Sequence, residues 1–190
     1  GILEVNWSKM QQLQGIRALA LKMTGQYYLQ TSALNVQVQS LRGLLYGLPL
    51  KASMMLKQQQ HFLRTKGKLT LGENIVHWDI SHSIAWLLKV TANVDLGSLF
   101  SDISGKIKIN VNTLQKRKNI TFSAAINELL WKDLYLDHGS ISGIFQQVNE
   151  YMKILLDLSV VQYAGLKIEH VKGKVLGYLH AHDIVLAVQQ

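Results

Sequence analysis

Asp102-Ile-Ser-Gly-Lys-Ile-Lys-Ile-Asn-Val-Asn112, a basic break Lys116-Arg117-Lys118-Asn119, and Ile120-Thr-Phe-Ser-Ala-Ala-Ile-Asn-Glu128 make up the stretch on which the reading of the whole chain turns. In its first arm Ile107, Ile109 and Val111 alternate with Lys106, Lys108 and Asn110. A side-chain period of two sends the branched apolar groups to one face of a strand. The second arm repeats the rule with Ile120, Phe122, Ala124 and Ile126, and the polar break between the arms suits an antiparallel hairpin. The unit is a hairpin with one apolar face.

Alternation of the same kind predicts strands at Ile2–Trp7, Ile16–Met23, Tyr27–Gln39, Leu50–Gln58, Phe62–Leu71, Asn74–Ile80, Leu88–Asp95, Lys106–Asn112 and Ile120–Glu128. Further strands are expected at Trp131–Asp137, Ser140–Gln147, Lys153–Val160, Lys167–Gly173, Val175–His180 and His182–Gln189. Leu96, Leu99, Phe100 and Ile103 fit a short amphipathic helix over Leu96–Ile103, and Ser8–Leu21 fits helical and strand spacing alike. An apolar-x-Gly-x-apolar pattern recurs at Gly43, Gly105, Gly143 and Gly173, with a related form at Gly67. Gly67, Gly105 and Gly143 stand 38 residues apart, which argues for stacked supersecondary units. Glycine inside a strand pattern marks a bulge or bend, so these positions predict a sheet that curls.

Helical segments able to roof such a sheet are nearly absent, and one apolar face needs another sheet, its own curled continuation or a ligand. The expected fold is therefore mainly β, an elongated curled antiparallel-type sheet (a β-gutter or β-taco) with an apolar concave interior and at most one or two short helices. It forms a single β-rich region over residues 1–190. The groove is expected to be lined by Val90, Val94, Ile107, Ile109, Val111, Ile120, Phe122, Ile126, Leu134, Leu136, Ile154, Leu156, Leu158, Leu186 and Val188.

Composition narrows the function classes. A chain of 190 residues that is 48 % hydrophobic has enough core material to exclude a disordered segment. Its net charge of +8 could meet nucleic acid or anionic lipid. The lysines, however, fall singly on polar strand faces, where they solvate the sheet and discourage edge pairing. Without cysteine there is no disulfide or thiolate chemistry. The apolar runs are far shorter than the roughly 20 residues of a membrane-spanning helix, and a start at Gly1 suggests a fragment of a longer protein.

No Gly-rich phosphate loop, zinc-ligand spacing or nucleophile elbow occurs, so neither an enzyme nor a cofactor is expected. His180 and His182 lie two apart but lack a carboxylate or cysteine cluster, and no metal site is expected. Asp79 with His77 or His82, and Asp133 with Asp137 and His138, read as strand-end and turn residues. Trp7, Trp78, Trp86 and Trp131 are not grouped with basic residues as base-stacking platforms would be, so nucleic acid is not expected either.

Several stretches carry a family resemblance. They are Leu41-Arg-Gly-Leu-Leu-Tyr-Gly-Leu-Pro-Leu-Lys-Ala, Gly67-Lys-Leu-Thr-Leu-Gly-Glu-Asn, Leu99-Phe-Ser-Asp-Ile-Ser-Gly-Lys, Leu130-Trp-Lys-Asp-Leu-Tyr-Leu, and Lys172-Gly-Lys followed by His180-Ala-His-Asp-Ile-Val-Leu. In this order Val36–Gln190 resembles the repetitive central region of the TamB type of translocation and assembly module subunit, in the AsmA-like family of bacterial intermembrane lipid-transfer proteins. The resemblance implies a periplasmic β-rich body whose parent is anchored in the bacterial inner membrane and directed at an outer-membrane TamA-type barrel. It also implies passage of phospholipid between the two membranes in support of outer-membrane biogenesis, or assistance to protein secretion and outer-membrane protein assembly. The membrane anchor and the C-terminal domain of that family have no counterpart here, so contact with the barrel belongs to parts outside this chain.

The physics of the strands reaches a compatible expectation. Some fourteen strands at about 4.8 Å would extend roughly 65 Å. An apolar groove shelters an acyl chain at about 0.8 kcal/mol per CH₂ without specific polar contacts. The alternative is a scaffold for outer-membrane proteins or autotransporters that offers a strand edge by β-augmentation. An outer-membrane barrel would require aromatic girdles, and a two-sheet sandwich a closed interior. An exposed gutter could also dimerise in isolation.

Overall fold

The computed structural model describes residues 2–7, 16–114, 119–178 and 180–189. The protein is mainly β, antiparallel and not closed. Its strands are β1 (Ile2–Trp7), β2 (Ile16–Tyr28), β3 (Ala33–Leu45), β4 (Leu48–Gln59), β5 (Phe62–Leu71), β6 (Asn74–His82), β7 (Trp86–Asp95), β8 (Ile103–Leu114), β9 (Asn119–Trp131), β10 (Leu134–Gln146), β11 (Tyr151–Tyr163), β12 (Leu166–Tyr178) and β13 (Ala181–Gln189). Strand order in the sheet is sequence order. The chain divides into two compact units, Gly1–Val90 and Thr91–Gln190.

Tight turns make this meander possible. Tyr46-Gly47 and Ala164-Gly165 hold both central residues at positive φ, the two-residue geometry whose twist matches that of the flanking strands. Leu29–Thr31 forms a single 3-10 turn. The helix expected at Leu96–Ile103 is reduced to a hydrogen-bonded turn. Leu99 and Phe100 N–H both donate to the Leu96 carbonyl at 2.9 Å, and the Ser98 hydroxyl donates to the Asp95 carbonyl at 2.8 Å. Five residues later β8 has begun, so the turn has no room to propagate. The open reading of Ser8–Leu21 resolves to strand from Ile16 onward, residues 8–15 lying outside the described residues.

Three expected breaks do not occur. The chain runs straight through Thr24–Gln26, through His138-Gly139 and through Lys174, so six predicted segments become parts of β2 with β3, β10 and β12. Each false break sat on a glycine or a lapse in alternation. Hydrogen bonding to strands on both sides holds the backbone extended at His138-Gly139 and Lys174, pairing with β3 does so at Gly25-Gln26, and local propensity yields to the ladder.

In the second unit the register lines up the alternating apolar residues of six strands. One row runs Ile107, Ile126, Gly139, Leu158, Val171, Val188, and the next Ile109, Ala124, Ile141, Leu156, Gly173, Leu186. A third runs Val111, Phe122, Gly143, Ile154, Val175, Ile184. The opposite face carries Lys106, Lys108, Ser140, Asp157 and Lys172. In the first unit corresponding rows run Leu21, Leu41, Ala52, Leu69, Val76 and Met23, Val38, Met54, Gly67, Trp78.

Phase slips in the sequence are absorbed by irregular backbone. Gln39-Ser40 puts two polar residues between Val38 and Leu41, which would turn the rest of β3 inside out. The pairing shifts there with both β2 and β4, a bulge in β3 that returns Leu41 to the apolar face. In the second unit Glu128 and Val160 take φ of 52° and 51°, between Ile126 and Leu129 and between Leu158 and Val161. Past them Leu129, Leu136, Val161 and Ile168 form a further apolar row. The bulge expected from Gly105 is present, with φ of 131° and a register shift between Ser104 and Lys106.

Gly43 likewise lies where the register between β2 and β3 shifts, opposite the irregularity between Arg17 and Ala20, whereas Gly67, Gly143 and Gly173 act differently from the bends expected of them. No register shift accompanies Gly67, Gly143 or Gly173. Each lies on the apolar face beneath a large side chain of the adjoining strand. A methyl group on Gly143 would fall 2.7 Å from Phe122 Cε1, one on Gly67 2.7 Å from Trp78 Cη2, and one on Gly173 3.0 Å from Leu186 Cδ2. The missing Cβ lets a ring lie flat across the neighbouring strand, the cross-strand pairing by which aromatics protect strand glycines. Gly143→Ala is expected to destabilise the fold by roughly 1–3 kcal/mol. Gly25→Ala, whose methyl would meet nothing nearer than the Asn35 carbonyl at 3.9 Å, is expected to be neutral or to stabilise by up to about 1 kcal/mol. Urea midpoints of the two variants check the contrast.

Candidate functional site

An antiparallel sheet ordinarily hides its apolar face under a second layer. Here the strands pair in sequence order, and the described residues supply one sheet and a single 3-10 turn, with no helix and no second sheet to form that layer. The consequence shows in burial. Among the described residues only Ala92 and Leu136 are buried hydrophobics, at 7 % and 5 % exposure, and no large side chain is fully buried. The apolar rows remain half-buried in the interior strands and open further at β13, where Leu186 is 65 % exposed.

Of the expected lining residues, Ile107, Ile109, Val111, Ile120, Phe122, Ile126, Ile154, Leu156, Leu158, Leu186 and Val188 share this one face of the second unit. Leu136 joins them across the irregular row, its Cδ2 lying 3.1 Å from where a Gly139 methyl would sit. Leu134 alternates with it on the same side of β10. Val90 and Val94 share a face of β7 with Ala92. From β8 to β13 the three rows contain no charged and no polar side chain, and they cross five inter-strand gaps, about 24 Å.

The apolar surface extends beyond the expected lining. Ile141, Phe145, Met152, Val171 and Val175 belong to the same face of the second unit, as does Ile184, which alternates with Leu186 and Val188. In the first unit alternation places Trp78 on one face with Val76 and Ile80, and the structure extends that face through Val36, Leu41, Leu56 and Leu69. Alternation was present there, but Gln39-Ser40 and the run Met54-Met55-Leu56 obscured its phase. The Trp78 indole on this face is satisfied within it, its Nε1–H donating to Thr65 Oγ1 at 3.1 Å. That bond lets an indole lie on a lipophilic surface without a desolvated donor.

The titratable pairs considered from sequence are placed apart from these rows. Asp79 pairs with neither His77 nor His82. It accepts from Arg64 Nε at 3.0 Å and from Arg64 Nη2 at 2.8 Å, a bidentate bridge between β5 and β6 on the polar face. Asp137 accepts from the Tyr135 hydroxyl at 3.3 Å and lies 2.9 Å from His138 Nδ1. Loss of hydration pushes the Tyr135 phenol up, and the Asp137 carboxylate adds to it. Among the described residues no three His, Asp or Glu converge as metal ligands, and no helix is long and apolar enough to cross a membrane. The basic break Lys116–Lys118 lies outside the described residues.

Hydrogen bonds from Arg64 hold the Asp79 carboxyl below its usual 3.8, burial opposes them, and the charges of Arg64, Lys66 and Lys89 add to the lowering. The folded state thus binds this proton less readily than the unfolded chain. Its contribution is present above the ordinary carboxylate value and is lost as pH falls through the lower folded one. Asp79→Asn is therefore expected to be less stable than the parent near neutrality, by a modest amount suited to an exposed pair. The difference should close as pH falls through the lowered folded value, and urea midpoints from neutrality into acid check it.

Comparison with protein-family profiles, with curated proteins and with solved structures gives no match.

Proposed function

We propose that the apolar sheet faces carry lipid acyl chains, and that the chain is a periplasmic segment of an AsmA-like bridge moving phospholipid between the inner and outer membranes. One observation carries this reading. Three consecutive rows of apolar side chains cross β8–β13 without a charge, and they stay half-buried or exposed. Apolar surface of that extent on a monomer marks a place where something binds. An acyl chain fits its chemistry because each CH₂ taken from water contributes about 0.8 kcal/mol and no polar anchor is demanded.

The glycine notches support movement as well as binding. Phe122 over Gly143, and Leu186 with Leu156 over Gly173, fill the gaps beside them. A surface of near-equal affinity at successive positions lets a chain advance, whereas a deep well would hold it. No catalytic group, metal or cofactor takes part in this activity. The chain acts within a parent anchored in the inner membrane, and contact with a TamA-type outer-membrane barrel falls to other parts of that parent.

A second reading rests on β13. Ile184 and Leu186 on one face and Val185 on the other are 62 %, 65 % and 61 % exposed, and among the described residues β12 is the only strand paired with β13. Such an edge accepts a further strand by β-augmentation. Its partner would be an outer-membrane client polypeptide or, in isolation, a second copy.

Native mass spectrometry of the detergent-free chain, with a photo-crosslinking residue at Phe122 or Leu156, separates the two. Co-purified phospholipid crosslinked from those positions and not from Lys108 is the expected result. Ile109→Asp should lower lipid occupancy roughly tenfold or more, because an unpaired carboxylate is costly against an acyl chain, while leaving β content unchanged. Undiminished occupancy in a folded Ile109→Asp chain would sink the lipid reading. Binding of unfolded β-rich clients that survives this variant and is lost on Leu186→Pro would favour the edge.

A further inference from the structure

The polar face of the first unit holds a feature that acyl-chain binding does not use. Arg42 on β3 is directly opposite Lys51 on β4, and Lys68 on β5 sits diagonally beside Lys51, whose direct partner there is Thr70. Like charges directly opposite in an antiparallel pair destabilise the sheet. Nearby, Arg64 is neutralised by Asp79, but among the described residues Arg42, Lys51 and Lys68 form no ion pair. The three cations line an open concavity of about 490 Å³ together with Ser40 and Ser53. Glu73 supplies the one negative charge there, leaving an excess of positive charge. The hollow adjoins the bulge at Gln39-Ser40, where β3 departs from regular pairing.

We propose that this concavity is a phosphate-binding subsite. A tetrahedral oxyanion offers oxygens for the planar fork of Arg42, for two ammonium groups and for serine hydroxyls at once. Its charge also relieves the repulsion between Arg42 and Lys51. The shared chemistry is the phosphate group, whether carried by a lipid headgroup or free in solution. The subsite stands independently of the apolar rows, since it lies on the opposite face of the strands that build it.

Two probes test it on the full chain. Inorganic phosphate is titrated while NMR follows the Arg42 side chain and the Ser40 and Ser53 amides, and co-sedimentation measures capture by phosphatidylcholine vesicles with and without phosphatidate. The site triple variant Arg42→Gln/Lys51→Gln/Lys68→Gln is compared with a charge-matched triple, Lys106→Gln/Lys108→Gln/Lys172→Gln, on the polar face of the second unit. Saturable phosphate binding that falls roughly tenfold or more in the site triple and is retained in the matched one is the expected result. Phosphatidate-dependent capture lost in the same variant assigns the phosphate to a headgroup, and phosphate binding without capture assigns it to the free ion. Equal losses in both triples, vesicle capture without saturable phosphate binding, or no phosphate binding at all would each overturn the subsite. Crosslinking of lipid at Phe122 should be unchanged in the site triple, so failure here is distinct from failure of the acyl-chain reading.

Discussion

Every feature of this protein depends on keeping the side-chain period of two in phase from one strand to the next. The backbone ladder is indifferent to which face a side chain occupies, but a slip of one residue exchanges the apolar and polar faces of a whole strand. Within each unit the register holds the apolar rows in line across every described strand pair. Where the sequence inserts an extra residue, the backbone yields and the face is kept. The bulge between Val38 and Leu41 and the positive φ of Glu128 and Val160 are the same correction made in different ways. Val160 is β-branched and ill suited to φ of 51°. Its neighbours Leu158 and Val161 remain on the apolar side, so the rows outweigh the local strain.

The face preserved in this way is not a core in the usual sense. A second layer would bury it, convert its area into folding stability and leave a sandwich. Without that layer, stability rests on ladder hydrogen bonds and on contacts between side chains of adjoining strands. The glycines matter for this reason. Phe122 and Trp78 gain contact by lying across Gly143 and Gly67, recovering from within the sheet some of the burial that a covering layer would have supplied. The same arrangement levels the surface, as the proposed passage of an apolar chain requires.

The polar face follows a different logic. Its charges are strung along strands at a spacing fixed by the backbone, so cations of neighbouring strands meet whether or not they attract. Arg64 finds Asp79 across β5 and β6, whereas Arg42 and Lys51 meet as like charges. Part of the basic excess thus meets at one place, the one proposed above to bind phosphate.

Much of this was legible in the chain itself. Period two alone set the mainly β class, assigned Ile107, Phe122, Ile154 and Leu186 to one face, and placed strands such as Phe62–Leu71 at their observed limits, because alternation needs no knowledge of a partner. Three matters waited for the tertiary structure. His138-Gly139 and Lys174 continue a strand because ladders on both sides hold them. Gly67 and Gly143 are notches and not bends because the ring above each comes from another strand. The meeting of Arg42, Lys51 and Lys68, far apart in sequence, is a matter of register. Each of these is decided by which residue lies opposite which, and a sequence states the order of residues along a strand but not the residues across from it.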